Sequence, residues 1–314
     1  MKDKQPERRY DFPVKKTSEQ DKISRFLFDK VNIRGEIASL NQVWQEMQAN
    51  HHYPDCIRQY LGELVAAAVL LSATLKFEGS MTIQASGDQS GNETKNGLTL
   101  MVVECRHDFG VRAVAKYQQP LPENTDIKSL LGKGNLVITI EQAKTKERYQ
   151  GIVALEGDSI AEFLEGYLIR SEQLETRLFL ACNSDSAAGL LLQKLPTQSD
   201  DDDSWDRISH LGSTIKAEEL LCLDTQTILH RLYHEEDVRL FDPAPIYFKC
   251  TCSREKVTNM LRSISHQEAS DIIKEQGNIS VDCEFCGKEY QFDEIDIAGI
   301  YTAHSHDIDT SVRH

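Results

Sequence analysis

The stretch "KCTCSRE" covers residues 249–255 and "VDCEFCGKE" covers 281–289, with thirty residues between Cys252 and Cys283. Four of the eight cysteines fall in these two tight pairs. The N-terminus, "MKDKQPERRYDFPVKK", is charged with no apolar run behind it, so it reads as neither a signal peptide nor a membrane span. The expected compartment is therefore the reducing cytoplasm, where structural disulfides are rare and paired cysteines point to metal ligation or redox chemistry. Cys250, Cys252, Cys283 and Cys286 offer four thiolates to one tetrahedral ion, a set that structural zinc favours. Gly287 lets the C-x-x-C half fold tightly around a metal, whereas the C-x-C half crowds its loop. A metal-bound thiolate is already deprotonated and keeps its nucleophilic form. Each pair is also close enough to form its own disulfide once a metal leaves. Lys249, Arg254, Lys256 and Lys288 flank the pairs; they favour negative sulfur or are simply solvated. The residues alone leave open an inert structural zinc, a redox switch, an iron–sulfur cluster and a nucleic-acid-binding ribbon. From Tyr247 to Ile300 there are six Lys/Arg against ten Asp/Glu, which argues against the last of these.

The rest of the chain agrees on charge. Lys and Arg number 35, Asp and Glu 50, giving a net charge of −15 over 314 residues. Such a chain is repelled by phosphate backbones and anionic membrane surfaces, so neither nucleic acid nor membrane is expected as a partner. The most apolar stretch, "LGELVAAAVLL" (Leu61 to Leu71), is too short to span a bilayer, contains Glu63, and reads as a buried helix.

Three parts and a tail follow from pattern. Residues 1–196 form the core. "DKISRFLFDKVNIRGEIASL" reads as a strand or helix pair and "LNQVWQEMQANHHYP" as helix. Residues 57–77 carry Leu61, Leu64, Val65, Ala68, Leu71 and Leu75 at helical spacing. The period then changes: "SMTIQASGD", "GLTLMVVECRHD", "VRAVAKYQQ", "NLVITIEQ" and "YQGIVALEG" read as strands. "SIAEFLEGYLIRSEQ" is a helix, and "TRLFLACN" and "GLLLQKLP" are closing strands. Strands adjoin rather than alternate with helices, so the class is α+β and not a doubly wound sheet. Residues 197–242 are a helical linker. It opens on "TQSDDDDSWDR", read as a solvated loop around Asp200 to Asp203. Its short helices present Leu220, Leu221, Ile228, Leu229 and Leu232, an apolar face that must lie on something. Residues 243–302 are the small cysteine domain, with a helix capped by Ser265, Glu268 at the capping-box position and Gly277 as terminator. Residues 303–314 are a tail.

Cys56, Cys105, Cys182 and Cys222 are isolated, with Cys105 and Cys182 read as buried, inert thiols. "GKG" (Gly132 to Gly134) is a turn rather than a phosphate loop. His51 and His52, and His304 and His306 in "AHSHD", are possible metal contacts that read better as loop and tail residues. No Ser/His/Asp or Cys/His catalytic arrangement stands out, and the chain is not expected to be an enzyme.

"CTCSREKV…NMLRS" followed by "CEFCGKEYQFD" resembles the redox-switch domain of the thirty-three-kilodalton chaperonin family, the bacterial oxidation-activated heat-shock holdases. "RGEIASLNQVW", "LGELVAAAVLLSATLKFEGSMTIQ", "GKGNLVITIEQ", "YQGIVALEGDSIAEFLEGYLIRSEQLETRLFLA", "GLLLQKLP" and "LHRLYHEEDVRLFDPAPIYFKC" resemble family segments in family order, from about Asp21 to Tyr301. The resemblance implies a mixed α/β core, a metastable linker and a C-terminal zinc domain. It implies one Zn2+ per chain on Cys250, Cys252, Cys283 and Cys286 in a reduced, inactive monomer. Oxidation would then form Cys250–Cys252 and Cys283–Cys286 disulfides and release zinc. The product would be a homodimer that holds unfolding client proteins without ATP. Loss of the metal should unfold the small domain, and the linker helices, expected between it and the core, should lose a neighbour. Leu220, Leu221, Leu229 and Leu232 are expected in the covering face that is released, as part of the client-binding surface. Polar residues in place of Leu221 and Leu229 should raise client binding in the reduced state. Two rivals remain: a zinc-stabilised interaction module without switching, and a thiol–disulfide oxidoreductase using Cys283 and Cys286.

Overall fold

Alternating apolar and polar residues build two largely antiparallel sheets around one apolar helix. The computed structural model describes residues 21–75, 77–87, 97–196 and 203–308, with side chains as far as Tyr301. Strands β1 (Lys22–Phe28) and β2 (Ile33–Leu40) lead into helices α1 (Gln42–Gln48) and α2 (Asp55–Thr74). Then come β3 (Gly79–Ser86), β4 (Gly97–Arg106), β5 (Gly110–Gln118), α3 (Ile127–Leu131), β6 (Asn135–Gln142), β7 (Arg148–Val153), α4 (Ile160–Ser171), β8 (Thr176–Cys182) and β9 (Ala187–Lys194). The linker carries α5 (Ser204–Gly212), α6 (Ala217–Cys222) and α7 (Thr225–Tyr233). A strap of very short strands follows: β10 (Val238–Leu240), β11 (Ala244–Pro245) and β12 (Tyr247–Phe248). The chain closes with α8 (Arg254–Leu261), α9 (His266–Gln276), β13 (Ile279–Asp282), β14 (Glu289–Phe292) and α10 (Glu294–Ile308).

The first sheet runs β10-β1-β2-β9-β8, with β11 also on β1; the second runs β12-β5-β4-β3-β6-β7. Helix α2 packs against strands of both. Its small and branched residues, Ala66, Ala67, Ala68, Val69 and Leu70 among them, are fully buried, which is what a helix between two sheets requires. It is longer than the apolar stretch suggests: at 20 residues it is long and apolar enough to cross a bilayer by length and composition, yet 72% of that window is buried inside the protein.

The outer face of the first sheet shows Phe26, Phe28, Ile33, Ile37, Leu190 and Leu192, and the linker covers it. Gly35 stands opposite Phe26 in register, and a Cβ there would fall 2.0 Å from the Phe26 ring. The Phe26 ring thus lies flat across the sheet, beneath the linker. Ile208, Leu220, Ile228, Leu229, Leu232 and Tyr233 fill the other side of this cluster, with Leu221 and Trp205 partly buried against it. The apolar linker face thus covers a sheet face, as its periodicity required.

Three expectations are corrected. The linker helices do not lie between the cysteine domain and the core; they lie on the outer face of the first sheet, while the cysteine domain meets the second sheet at β5. The segment read as an acidic loop is helical from Ser204, because Trp205 and Ile208 find apolar partners; Asp203 precedes that helix, and Asp200 to Asp202 lie outside the described residues. Part of the expected tail is helical, since α10 runs to Ile308; the side chains of His304 and His306 lie outside those described.

Candidate metal centre

Two local structures bring the four cysteines together. Strands β13 and β14 pair from Ile279–Phe292 to Asp282–Glu289, and the turn between them carries Cys283 and Cys286. The Cys283 carbonyl accepts from the amides of Cys286 (3.2 Å) and Gly287 (2.7 Å), and the Cys283 amide donates to Lys288 O (2.9 Å). This tight knuckle closes because Gly287 adopts φ +67°. The other pair leaves β12, which runs parallel to β5, and Cys252 stands just before Ser253, the cap of α8, which accepts from the Lys256 amide. A small core of Leu261, Ala269, Ile273, Ile279, Tyr290, Phe292, Ile297 and Ile300 joins the two halves. Ser265 accepts from the Glu268 amide and Gly277 closes α9 in the left-handed conformation, as the sequence predicts.

All four sulfurs lie within 4.8 Å of one another. Cys250 and Cys283, and Cys252 and Cys286, approach to 3.5 Å. Zn–S bonds of about 2.3 Å in a tetrahedron set sulfur–sulfur edges of about 3.8 Å. The donor set therefore fits a single ion. A multi-iron cluster, which places its own irons and sulfides between the thiolates, needs wider spacing.

The electrostatics lead to the same ion. Burial raises Cys250 and pushes Cys286 up to about 12. At Cys252 burial is outweighed by hydrogen bonds from the Tyr290 hydroxyl (3.1 Å) and the neighbouring thiols, which hold it at about 7. Four sulfurs this close cannot all ionise by themselves, because like charges oppose one another. A divalent cation removes that obstacle.

The four flanking cations have other partners. Lys249 pairs with Asp108 (3.1 Å), Arg254 with Asp296 (2.7 Å), Lys256 donates to Thr251 O (2.7 Å), and Lys288 lies over the Tyr290 ring. Among the described contacts the cation that reaches sulfur is Arg112 of β5, 3.9 Å from Cys250 Sγ. Burial would lower its guanidinium, but Glu104 and Cys250 outweigh burial and raise it. Sequence reasoning passed over Arg112, Glu104, Asn50 and Lys116. The one available signal was an arginine inside the otherwise apolar "VRAVA" strand.

Among the isolated cysteines, Cys105 is fully buried and burial pushes its thiol up to about 12. Burial does the same at the half-buried Cys182. Cys56 is half-buried and Cys222 exposed.

The model of a protein family described as "Hsp33 protein" matches residues 21–293. A 33 kDa chaperonin from Chromobacterium violaceum is 46% identical over 278 residues, covering 88% of this chain and 92% of that protein. Another from Methylobacillus flagellatus is 45% identical over 90% of this chain and 94% of its own length. The crystal structure of a 33 kDa chaperonin from Thermotoga maritima superposes with a TM-score of 0.77 at 22% identity, over 91% of this chain and 99% of that one, and so shares the fold. Matched by family model, by sequence over most of its length and by fold, the chain belongs to the Hsp33 family.

Proposed function

We propose that this protein is a redox-regulated, ATP-independent holdase of the bacterial cytoplasm, inactive while reduced and metal-bound. The observation that carries the reading is the convergence of Cys250, Cys252, Cys283 and Cys286 within 4.8 Å in a domain whose own core is small. Residues 1–196 are the chaperone core, 197–242 the metastable linker, 243–302 the switch domain and 303–314 the tail. A Zn2+ ion held by the four cysteines supplies charge that keeps the sulfurs as thiolates and ties the two halves of the switch domain together.

Such a site contributes roughly 10–16 kcal/mol of apparent binding energy, which is also folding energy. Each peroxide takes two electrons from one pair of thiolates and, with two protons from solvent, leaves as two waters; two peroxides thus give two disulfides. The family pattern assigns these as Cys250–Cys252 and Cys283–Cys286. Disulfide sulfurs are poor ligands and no longer retain the ion. The switch domain then loses its main source of stability, since a domain of this size has little core of its own. The linker in turn exposes Leu220, Leu221, Leu229 and Leu232 together with the sheet face beneath them, and exposed apolar area binds unfolding clients. The oxidised form is a homodimer, and the protein is a binder rather than an enzyme. An oxidoreductase reading is disfavoured by the knuckle, which runs from strand to strand and not onto a helix N-terminus.

The test measures zinc content, free thiols and suppression of client aggregation on one sample, before and after peroxide at elevated temperature. Joint loss of zinc and four thiols with gain of holdase activity is expected. Loss of zinc without gain of client binding refutes the switch.

A further inference from the structure

The switch domain touches the core through the metal site itself. Glu284 pairs with Lys116 of β5 at 2.5 Å, and the Phe285 ring lies 4.2 Å from the Arg112 guanidinium. The Cys286 carbonyl accepts from Asn50 Nδ2 at 2.8 Å, and a Cβ on Gly287 would stand 2.8 Å from Asn50 Cγ. Four consecutive knuckle residues thus face core side chains. Arg112 is shared most widely. Its Nε and Nη2 donate to Glu104 Oε2 at 3.2 and 2.5 Å, Nη1 faces the Cys250 sulfur, and its flat face covers Phe285. One side chain therefore meets both cysteine pairs, one through sulfur and the other through the ring between its two ligands.

We infer that Arg112 is a positioning residue through which the core responds to the charge of the four-sulfur centre, holding the switch domain on β5 while that centre is anionic and releasing it once the thiolates are gone. The inference rests on the proposed redox switch. Four thiolates on a divalent ion carry a net charge of −2, whereas two disulfides carry none. The side chains of Arg112 and Glu104 are only 16% and 18% exposed, so the attraction is screened far less than at an open surface. Glu104 compensates Arg112 in either state. Oxidation therefore removes an attraction without stranding a buried charge, and docking changes while the core does not. Lysine is no substitute: a point charge cannot bind Glu104 through a fork, stack on Phe285 and reach sulfur together.

The test uses the full chain, zinc-loaded under reductant, as wild type, Arg112→Ala and Arg112→Lys. The first readout is the rate of zinc transfer to a chromophoric chelator. Arg112→Ala is expected to speed release roughly tenfold, with Arg112→Lys intermediate, and the gap should narrow at high salt. The second is amide hydrogen exchange over residues 247–250 in zinc-loaded and oxidised protein. Protection should fall in the zinc-loaded variants and be equal to wild type after oxidation. An arginine that merely braces β4 against β5 through Glu104 would lower protection in both forms alike, and that result overturns the inference, as does unchanged zinc release. Arg112→Lys carries the same two readouts if the alanine variant does not fold. A wild type that holds no zinc, or gains no client binding on oxidation, overturns the switch and the inference together. A wild type that switches while the variants match it overturns the inference alone.

Discussion

Replacing Leu229 by alanine should turn the reduced, zinc-bound protein into a client binder without touching a cysteine. Leu229 is 6% exposed on α7, wedged with Ile228 and Leu232 against the outer face of the first sheet. Alanine is the better helix former, so the change attacks packing rather than helix formation. A buried leucine truncated to alanine costs about 2–5 kcal/mol, the upper part of that range applying where the site cannot collapse. At about 3 kcal/mol, and about 1.4 kcal/mol per tenfold, the population with the linker lifted rises roughly a hundredfold. Helix α7 has nine residues and α6 six, too few to persist without the face they cover, so loss of packing becomes loss of the helices.

The assay is suppression of aggregation of a heat-unfolded client with reductant and zinc present throughout, paired with hydrogen exchange over residues 204–233. Faster exchange together with activity is expected. Leu221→Ala should act in the same direction but more weakly, because Leu221 is only partly buried. Gln226→Ala, on the exposed side of α7, should do neither. If exchange rises a hundredfold and client binding stays at the reduced wild-type level, the covered sheet face is not the surface that clients use. If exchange is unchanged, the packing account of the linker is wrong.

Gly287→Ala should cost about 1–2 kcal/mol from its left-handed backbone alone, and the added Cβ also meets Asn50; the readout is zinc affinity against a chelator, which should fall. Tyr290→Phe removes the hydroxyl donating to Cys252 and should weaken zinc binding about tenfold, the lower end of what outer-sphere partners contribute. Removing zinc with a chelator under reductant should abolish exchange protection over residues 254–300 while residues 55–74, buried between the sheets, keep theirs. The Asp108 anchor of the strap should be indifferent to mild acid. Burial would raise its carboxyl, but the Tyr247 hydroxyl, the Lys249 ammonium and the Gly110 amide outweigh it and hold the carboxyl well below the usual carboxylate range. A carboxylate depressed in the folded state contributes stability that is present above its unfolded value and lost as pH falls through the folded one. Protection at the Lys249 amide, corrected for intrinsic rates, should therefore be constant from pH 8 down to about pH 5, and Asp108→Asn should lower it across that window.

What could be read in advance was whatever local spacing encodes. Ser265, Glu268 and Gly277 announce α9 because caps act within one turn. Cys250, Cys252, Cys283 and Cys286 announce a cluster of four sulfurs because ligand chemistry restricts the residue types. Leu220, Ile228, Leu229 and Leu232 announce a covering face, but not what it covers: the pairing of β2 with β9 that creates the sheet face joins residues some 150 positions apart, and no local period records it. Strands of two or three residues, such as β10 to β12, are too short to show alternation at all. Arg112 was visible as an anomaly in an apolar strand, but its partners Glu104, Cys250 and Phe285 come from three separate stretches that only the fold brings together.

The four sulfurs and the covered face belong to different sheets, and in the proposed switch the shortest covalent link between them is the chain that joins them. Residues 238–248 are that chain. Val238, Arg239 and Leu240 pair with β1, Ala244 and Pro245 pair with β1 again, and Tyr247 and Phe248 pair with β5. Pairings of two or three residues are well short of an ordinary strand and do not stand alone. They depend on anchors at their ends: α7 before them, and Lys249 and Cys250 after them. With the thiolate centre intact, the Lys249 amide donates to Val111 O, its ammonium holds Asp108, and Cys250 lies beside Arg112. In the proposed switch, freeing the cysteine end leaves the strap with its short pairings to β1 and its bonds to Asp21, Arg25 and Asp29, and removes its hold on β5. Under the proposed switch, short pairings suit the strap to transmission: held at both ends it seats the linker, and with one end released it should not, which hydrogen exchange over residues 238–248 in the zinc-loaded and oxidised forms would read.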